Sequence, residues 1–177
     1  MKDKISENRI HGFTLIEALV AIAILLIGVL GPMTAATRGI TDGFSAGNQL
    51  MATYLAKEGI ELVAAKIRSN FSSGQDWLYE LDSCTTADCG VDVLINSFSA
   101  CGACESRYDT VSGLYKSYNP SDSNQQGPIF ARKIKLKIQS AGSLAVDKEM
   151  EVSVTVSWSD KTGSHNVSLI DYVYNPQ

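Results

Sequence analysis

Three patterns of apolar and polar positions divide the chain. In the first, residues 18–37 carry no charged side chain and read as apolar on every face. About 20 apolar residues in a helix span a bilayer, so 13–37 is long enough to cross one. In the second, over 48–71, apolar positions return at helical spacing. Met51, Leu55, Gly59, Leu62, Val63 and Ile67 fall on one stripe, with Lys57, Glu58, Glu61 and Lys66 elsewhere. That stripe predicts an amphipathic helix whose apolar side is the floor for a sheet. In the third, the period shortens to two. Within 129–138, Phe130, Ile134, Leu136 and Ile138 share one face, and Lys133, Lys135 and Lys137 the other. Within 149–158, Met150, Val152, Val154, Val156 and Trp158 alternate with Glu149, Glu151, Ser153, Thr155 and Ser157. Such alternation predicts antiparallel strands with one buried face, and lysines of one strand opposite glutamates of the next. Asp160-Lys161-Thr162-Gly163 reads as the turn into a third strand over 165–174. There the alternation blurs, since Val167, Leu169 and Val173 oppose Ile170, Tyr172 and Tyr174, which predicts cover on both sides.

The joints between these patterns carry their own signals. Proline removes a helix hydrogen bond and glycine weakens the turn before it, so Gly28, Gly31 and Pro32 predict a kink or a melted turn. Gly39, Gly43 and Gly47 recur every fourth residue. They make either a small-residue face for close helix approach or a poorly helical joint, and the spacing leaves both open. Ser72-Ser73-Gly74 ends the helix. Trp77, Leu78 and Leu81 suggest one helical turn packed on the domain. Residues 83–127 are rich in Ser, Asn and Gly and read as loop, with short strands at 91–95 and 113–118. The fold class is therefore α+β: a long N-terminal helix packed on a C-terminal antiparallel sheet, with a loop-rich, cysteine-containing segment between.

Charge adds orientation. Lys2, Lys4 and Arg9 face Asp3 and Glu7 before the apolar run, and Arg38 is the nearest charge beyond it. The positive-inside tendency keeps 1–12 in the cytoplasm and exports 38–177. The net charge is −4 and no basic block stands out, which argues against a nucleic-acid groove. A cleavable signal peptide (basic region 2–9, apolar region 18–30, cut near Thr34-Ala35-Ala36) or an uncut anchor would also fit the run. Neither explains Glu17. A carboxylate in an apolar helix costs up to about 3 kcal/mol at the bilayer centre and less near its edge, and neither alternative supplies a partner.

The stretch Gly12-Phe13-Thr14-Leu15-Ile16-Glu17, with a short charged leader before it and an apolar helix after it, resembles the start of type IV prepilins and pseudopilins. The wording of the apolar run, and of the stretches at 130–138 and 150–158, looks closest to PilV-type minor pilins and the related type II secretion minor pseudopilins. The resemblance implies the pilin fold, with 1–12 as leader, 13–37 as membrane-spanning and filament-core helix, 38–71 as the rest of that helix, and 72–177 as globular head. It implies cleavage between Gly12 and Phe13 by a prepilin peptidase, N-methylation of Phe13, and a pairing of Glu17 with the N-terminal amine of a neighbouring subunit. The implied partners are other pilins, the peptidase, an inner-membrane assembly platform and the membrane itself. The implied location is the inner membrane and then a filament at the cell surface.

Cys84, Cys89, Cys101 and Cys104 all fall in the exported part, where oxidation is the normal fate. Their even number suits two disulfides. Three connectivities are open, and short-range closure favours Cys84 with Cys89 and Cys101 with Cys104. A zinc knuckle needs four thiolates at this spacing and is the second reading. A redox role for Cys101-Gly102-Ala103-Cys104 is the third, without the strand–helix frame such chemistry uses. Beyond the leader the chain holds one histidine, His165, and no catalytic frame, metal cluster or phosphate loop is visible. The function expected is structural, with no catalysis and no cofactor. The rival is a membrane-anchored extracytoplasmic thiol or metal-binding protein built on the four cysteines.

Overall fold

The computed structural model describes residues 12–139 and 149–175. The chain divides into two compact units, Met1–Gly43 and Phe44–Gln177. A single helix, α1 (Leu15–Ser72), contributes to both.

Within the first unit no described residue is buried. The helix is unbroken at Pro32, so the melted turn expected there is not found. Proline removes the N–H that would bond the Gly28 carbonyl, but the neighbouring bonds persist and Thr34 Oγ1 donates to the Gly31 carbonyl at 2.8 Å. The interruption considered around 39–47 is also absent. Thr37 and Thr41 donate their hydroxyls back to the carbonyls of Met33 and Thr37, at 3.2 and 3.1 Å. Local helical bonding there outweighs the conformational freedom of the glycines, which cost about 1 kcal/mol each against alanine.

Within the second unit the rest of α1 has a single buried face made of Ala52, Leu55, Ala56, Gly59, Val63, Ile67 and Asn70. The expected stripe is therefore rotated: Met51 is 38% exposed and Leu62 only partly buried. Small residues face the sheet because they let the two backbones approach. A Cβ at Gly59 would lie 3.0 Å from Val154 Cγ1. Beyond the helix, Asn70 Nδ2 donates to the carbonyls of Trp77 and Tyr79 at 3.2 and 2.8 Å. That side chain replaces the helical turn expected around Trp77, Leu78 and Leu81 with a run of hydrogen-bonded turns, which still buries Trp77 and Leu81.

The short helix α2 (Ser83–Thr86) then leads into seven strands: β1 (Cys89–Asp92), β2 (Ser97–Ala100), β3 (Glu105–Asp109), β4 (Leu114–Ser117), β5 (Gln125–Gln139), β6 (Glu149–Asp160) and β7 (Gly163–Tyr174). All belong to one antiparallel sheet. Along one edge β5 pairs with β6, which pairs with β7. Along its other edge β5 meets β3 through residues 125–131 and β1 at Ile134. The strand expected at 113–118 is present as β4 and that at 91–95 lies slightly earlier as β1, but the rest of 83–127 is more ordered than a loop: two hairpins, β1–β2 and β3–β4, docked side by side on one long strand. Their strands are too short and polar to show a period of their own.

Alternation predicts the faces of β5 and β6 correctly. Phe130, Ile134 and Leu136 lie with Met150, Val152, Val154, Val156 and Trp158 in a core packed against the buried face of α1. Lys137 stands opposite Glu151 in register, whereas Lys133 pairs with Asp88 at 3.1 Å. The third strand differs from expectation. Val167, Leu169 and Val173 are packed against the core, but Ile170, Tyr172 and Tyr174 on the other face are exposed. Only one side of β7 is covered, because α1 lies on one side of the sheet.

Candidate functional site

Gly12, Phe13 and Thr14 precede the first helical residue, so the Gly12–Phe13 peptide lies outside α1 and is exposed. Thr14 is the residue before the helix, and its Oγ1 accepts the Glu17 backbone N–H at 3.3 Å. Threonine followed three residues later by glutamate is the pattern of a capping box. Glu17 also stands in the first turn, where a carboxylate complements the positive end of the helix dipole by about 0.3–1 kcal/mol. Sequence reasoning missed this local role: the carboxylate is favourable to the isolated helix even before it meets a partner. Downstream, Leu19, Ile24, Ile27 and Leu30 are all more than half exposed around the helix, and the helix is long and apolar enough to cross a membrane.

All four cysteines are joined, Cys84 to Cys89 and Cys101 to Cys104, each with Cα atoms 5.2 Å apart. Since Cys89 pairs in register with Ala100, the two bridges flank the same open end of the β1–β2 hairpin, one on each arm. Closed bridges leave no thiolate in this segment to bind zinc. Among the described residues no three His, Cys, Asp or Glu side chains are grouped to hold a metal.

Arg132 was not singled out by the strand pattern, yet it occupies an inward position of β5 between Phe130 and Ile134. It is buried, forms an ion pair with Glu58 of α1, and its Nη1 donates to the Leu55 carbonyl at 3.4 Å. The Arg132 stem passes close to Gly59, where an added Cβ would be in ordinary contact with Arg132 Cδ at 3.6 Å. The available signal was a lone cation on an apolar strand face, matched by Glu58-Gly59 on the facing helix.

Two aspartates fix the tight turns. Asp109, which is buried, accepts the Ser112 backbone N–H at 2.6 Å and its hydroxyl at 2.7 Å, with Lys116 Nζ at 3.3 Å. The Ser112 hydrogen bonds hold its pKa down at about 2. At the β6–β7 turn, Asp160 Oδ1 accepts the Thr162 hydroxyl at 2.5 Å and backbone N–H at 2.8 Å, and lies 3.1 Å from His165 Nε2. These contacts, Thr162 first, hold its carboxyl well below the usual range. Thr162 Oγ1 is also 2.8 Å from His165 Nε2. Hydroxyl, imidazole and carboxylate thus meet, but both contacts use the same ring nitrogen. A nucleophile–base–orienter relay needs the two opposite nitrogens, so this cluster is a turn clamp.

Among the described residues, 12–17 and the apolar helix behind them combine an exposed non-helical peptide, a first-turn carboxylate and a membrane-length apolar surface. Comparison with known proteins leads to the same stretch. Neither the curated proteins nor the solved structures compared include a match to the chain. Residues 8–31 match the family model of the prokaryotic N-terminal methylation motif, and this match, over the junction, Glu17 and the first half of the apolar run, supports a type IV pilin-like chain.

Proposed function

We propose that this chain is a structural subunit, a minor pilin or pseudopilin, of a type IV pilus or related secretion filament. The observation that carries the reading is the apolar first unit. Its side chains are exposed all round, in a helix that begins immediately after an accessible, non-helical Gly12–Phe13 peptide within a methylation-motif match. Such a surface needs lipid or other apolar helices around it. In this reading the leader stays cytoplasmic and a prepilin peptidase cuts before Phe13. The helix holds the subunit in the inner membrane until an assembly platform passes it to the filament. Gly28, Gly31 and Pro32 are where the helix bends or opens as it packs.

Glu17 tests the reading because its environment changes on assembly. In the bilayer the carboxylate is a cost of at most about 3 kcal/mol, offset in part by the helix dipole. In a filament core it faces the Phe13 amine of a neighbour at low dielectric, where removing one partner of a buried pair costs about 3–5 kcal/mol. Glu17→Ala should therefore leave cleavage and membrane-bound protein unchanged and deplete the subunit from sheared filaments. Glu17→Gln, which keeps the polar side chain in the first turn, should be depleted in the same way. Normal incorporation of Glu17→Gln would mean that the cap, and not the charge, is what Glu17 supplies. Loss of membrane-bound protein in both variants would replace the assembly role by an insertion role.

Processing is checked separately by intact mass. The extracted protein should begin at Phe13 and carry one methyl group, and Gly12→Trp should leave the full-length chain in the membrane. A chain beginning near residue 37 would instead establish signal-peptide cleavage.

A further inference from the structure

The two disulfides flank the same end of one hairpin but differ in their surroundings. Cys84, in α2, and Cys89, the first residue of β1, are fully buried and part of the core. Cys101 and Cys104 are half-buried, and the two residues between them, Gly102 and Ala103, are exposed. A recess of about 210 Å³ opens on this second bridge, lined by Cys101, Cys104, Gly90, Asp92, Ser99 and Glu105. Cys101 Sγ lies directly over Gly90, where an added Cβ would stand 3.1 Å away, so no side chain at that position shields the sulfur. Cys104 is held at φ 53°, a left-handed conformation that a β-carbon disfavours. The bridge is one of the constraints that hold it there.

We propose that Cys101–Cys104 is a thiol–disulfide exchange site, opened and closed by a dithiol oxidoreductase whose contact surface is neutral or cationic, while Cys84–Cys89 is a permanent structural bridge. Exchange needs an attacking thiolate to reach a sulfur, and only the second bridge offers an approach. The partner's thiolate bonds to one sulfur and the other leaves as a thiolate that takes up a proton. The partner's second thiolate then attacks the mixed disulfide and releases the second cysteine. Two electrons pass to the bridge, both of its sulfurs become thiols, and the partner becomes a disulfide; the reverse sequence closes the bridge again. Of the charged groups at the recess, Arg132 is committed to its ion pair with Glu58, and the carboxylates of Asp92 and Glu105 repel an anionic thiol and attract a cationic one, which sets the charge preference.

The corner keeps its place when the bridge opens. The Cys101 N–H donates to the Asp88 carbonyl and the Arg132 N–H donates to the Cys104 carbonyl, each at 3.0 Å. These bonds tie both cysteines to the sheet without the sulfur link, so opening is local and reversible.

The test uses the full chain in detergent, treated with graded cysteamine or 3-mercaptopropionate at equal thiolate concentration, alkylated and mapped by peptide mass. Fluorescence of Trp77 and Trp158 reports whether the head stays folded. Cys101 and Cys104 should be labelled at least about tenfold faster than Cys84 and Cys89, with unchanged fluorescence, because access governs exchange. Cysteamine should act faster than 3-mercaptopropionate, and Asp92→Asn with Glu105→Gln should narrow that gap. Equal labelling of the two bridges, or earlier labelling of Cys84 and Cys89, would overturn the site. An unchanged gap in the double variant would overturn the charge preference. Sulfur labelling is read on the isolated chain, so its failure and the failure of the filament reading are separately visible.

Discussion

The two stretches of α1 are one secondary structure built for two surroundings. Residues 18–37 carry no charge, keep apolar side chains on every face and bury none of them. Over 44–72 the same helix has one face pressed on the sheet and charged residues elsewhere. Glycine shows the difference most sharply. A Cβ added at Gly39 or Gly43 would meet open space, whereas one at Gly59 would meet Val154 and the stem of Arg132. The same residue is an unused surface in one unit and a packing requirement in the other. A helix hydrophobic all round belongs in lipid or among other helices, and one with a single apolar stripe belongs on a soluble core. The contrast between the stretches is therefore a contrast of solvent.

Substitutions can break this contrast or sharpen it, and both tryptophans, Trp77 and Trp158, lie in the second unit, so fluorescence follows that unit alone. The largest effect is expected at Arg132. Arg132→Ala leaves a void under the helix and leaves Glu58, whose side chain is 37% exposed, without its partner, and should lower the denaturant stability of the head by about 2–4 kcal/mol, most of it from the void. Lys133→Ala, one residue away, breaks only the half-exposed pair with Asp88 and should cost less than about 1 kcal/mol. Equal losses at the two positions would show that the Arg132 pair is not held in the core.

Gly59→Ala comes next. Its new methyl group must displace Val154, and overpacking of this kind costs about 1–3 kcal/mol. Gly43→Ala is the matched control. It meets nothing and should leave the tryptophan transition unmoved while adding up to about 1 kcal/mol of local helix stability. If both changes left the transition unmoved, the close approach of α1 to β6 at Gly59 would be refuted.

The smallest effect is confined to one turn of the head. Asp109 is ionised down to about pH 2 in the folded state, against an ordinary value of 3.8. Its contribution is complete above the unfolded value and is lost as pH falls from near 4 towards 2. Cleavage by pepsin at the β3–β4 turn should rise across that window, and Asp109→Asn should make it insensitive to pH there.

What the sequence determined by itself is what repeats along many residues or is read locally. A long uncharged run specifies a helix for an apolar medium wherever it sits. Thr14 caps it within one turn, a local role that the apolar pattern alone did not bring out. The alternation in β5 and β6 is legible because those strands bury one face over ten or more residues, and each buried side chain falls at the next step of the same period. The tertiary structure decided what depends on residues far apart in the chain. The β1–β2 and β3–β4 hairpins contain only four or five residues per strand, so no period accumulates, and they join the sheet because β5 offers an edge to β1 and β3. Arg132 is tolerable inside the core only because Glu58 and Gly59 meet it from a helix more than seventy residues earlier. The exposed face of β7 follows from the helix lying on one side of the sheet, and the unequal burial of the two bridges from which of them α2 and the core cover. Local periodicity records what a residue's own element demands; burial is set by whichever distant element arrives to cover it.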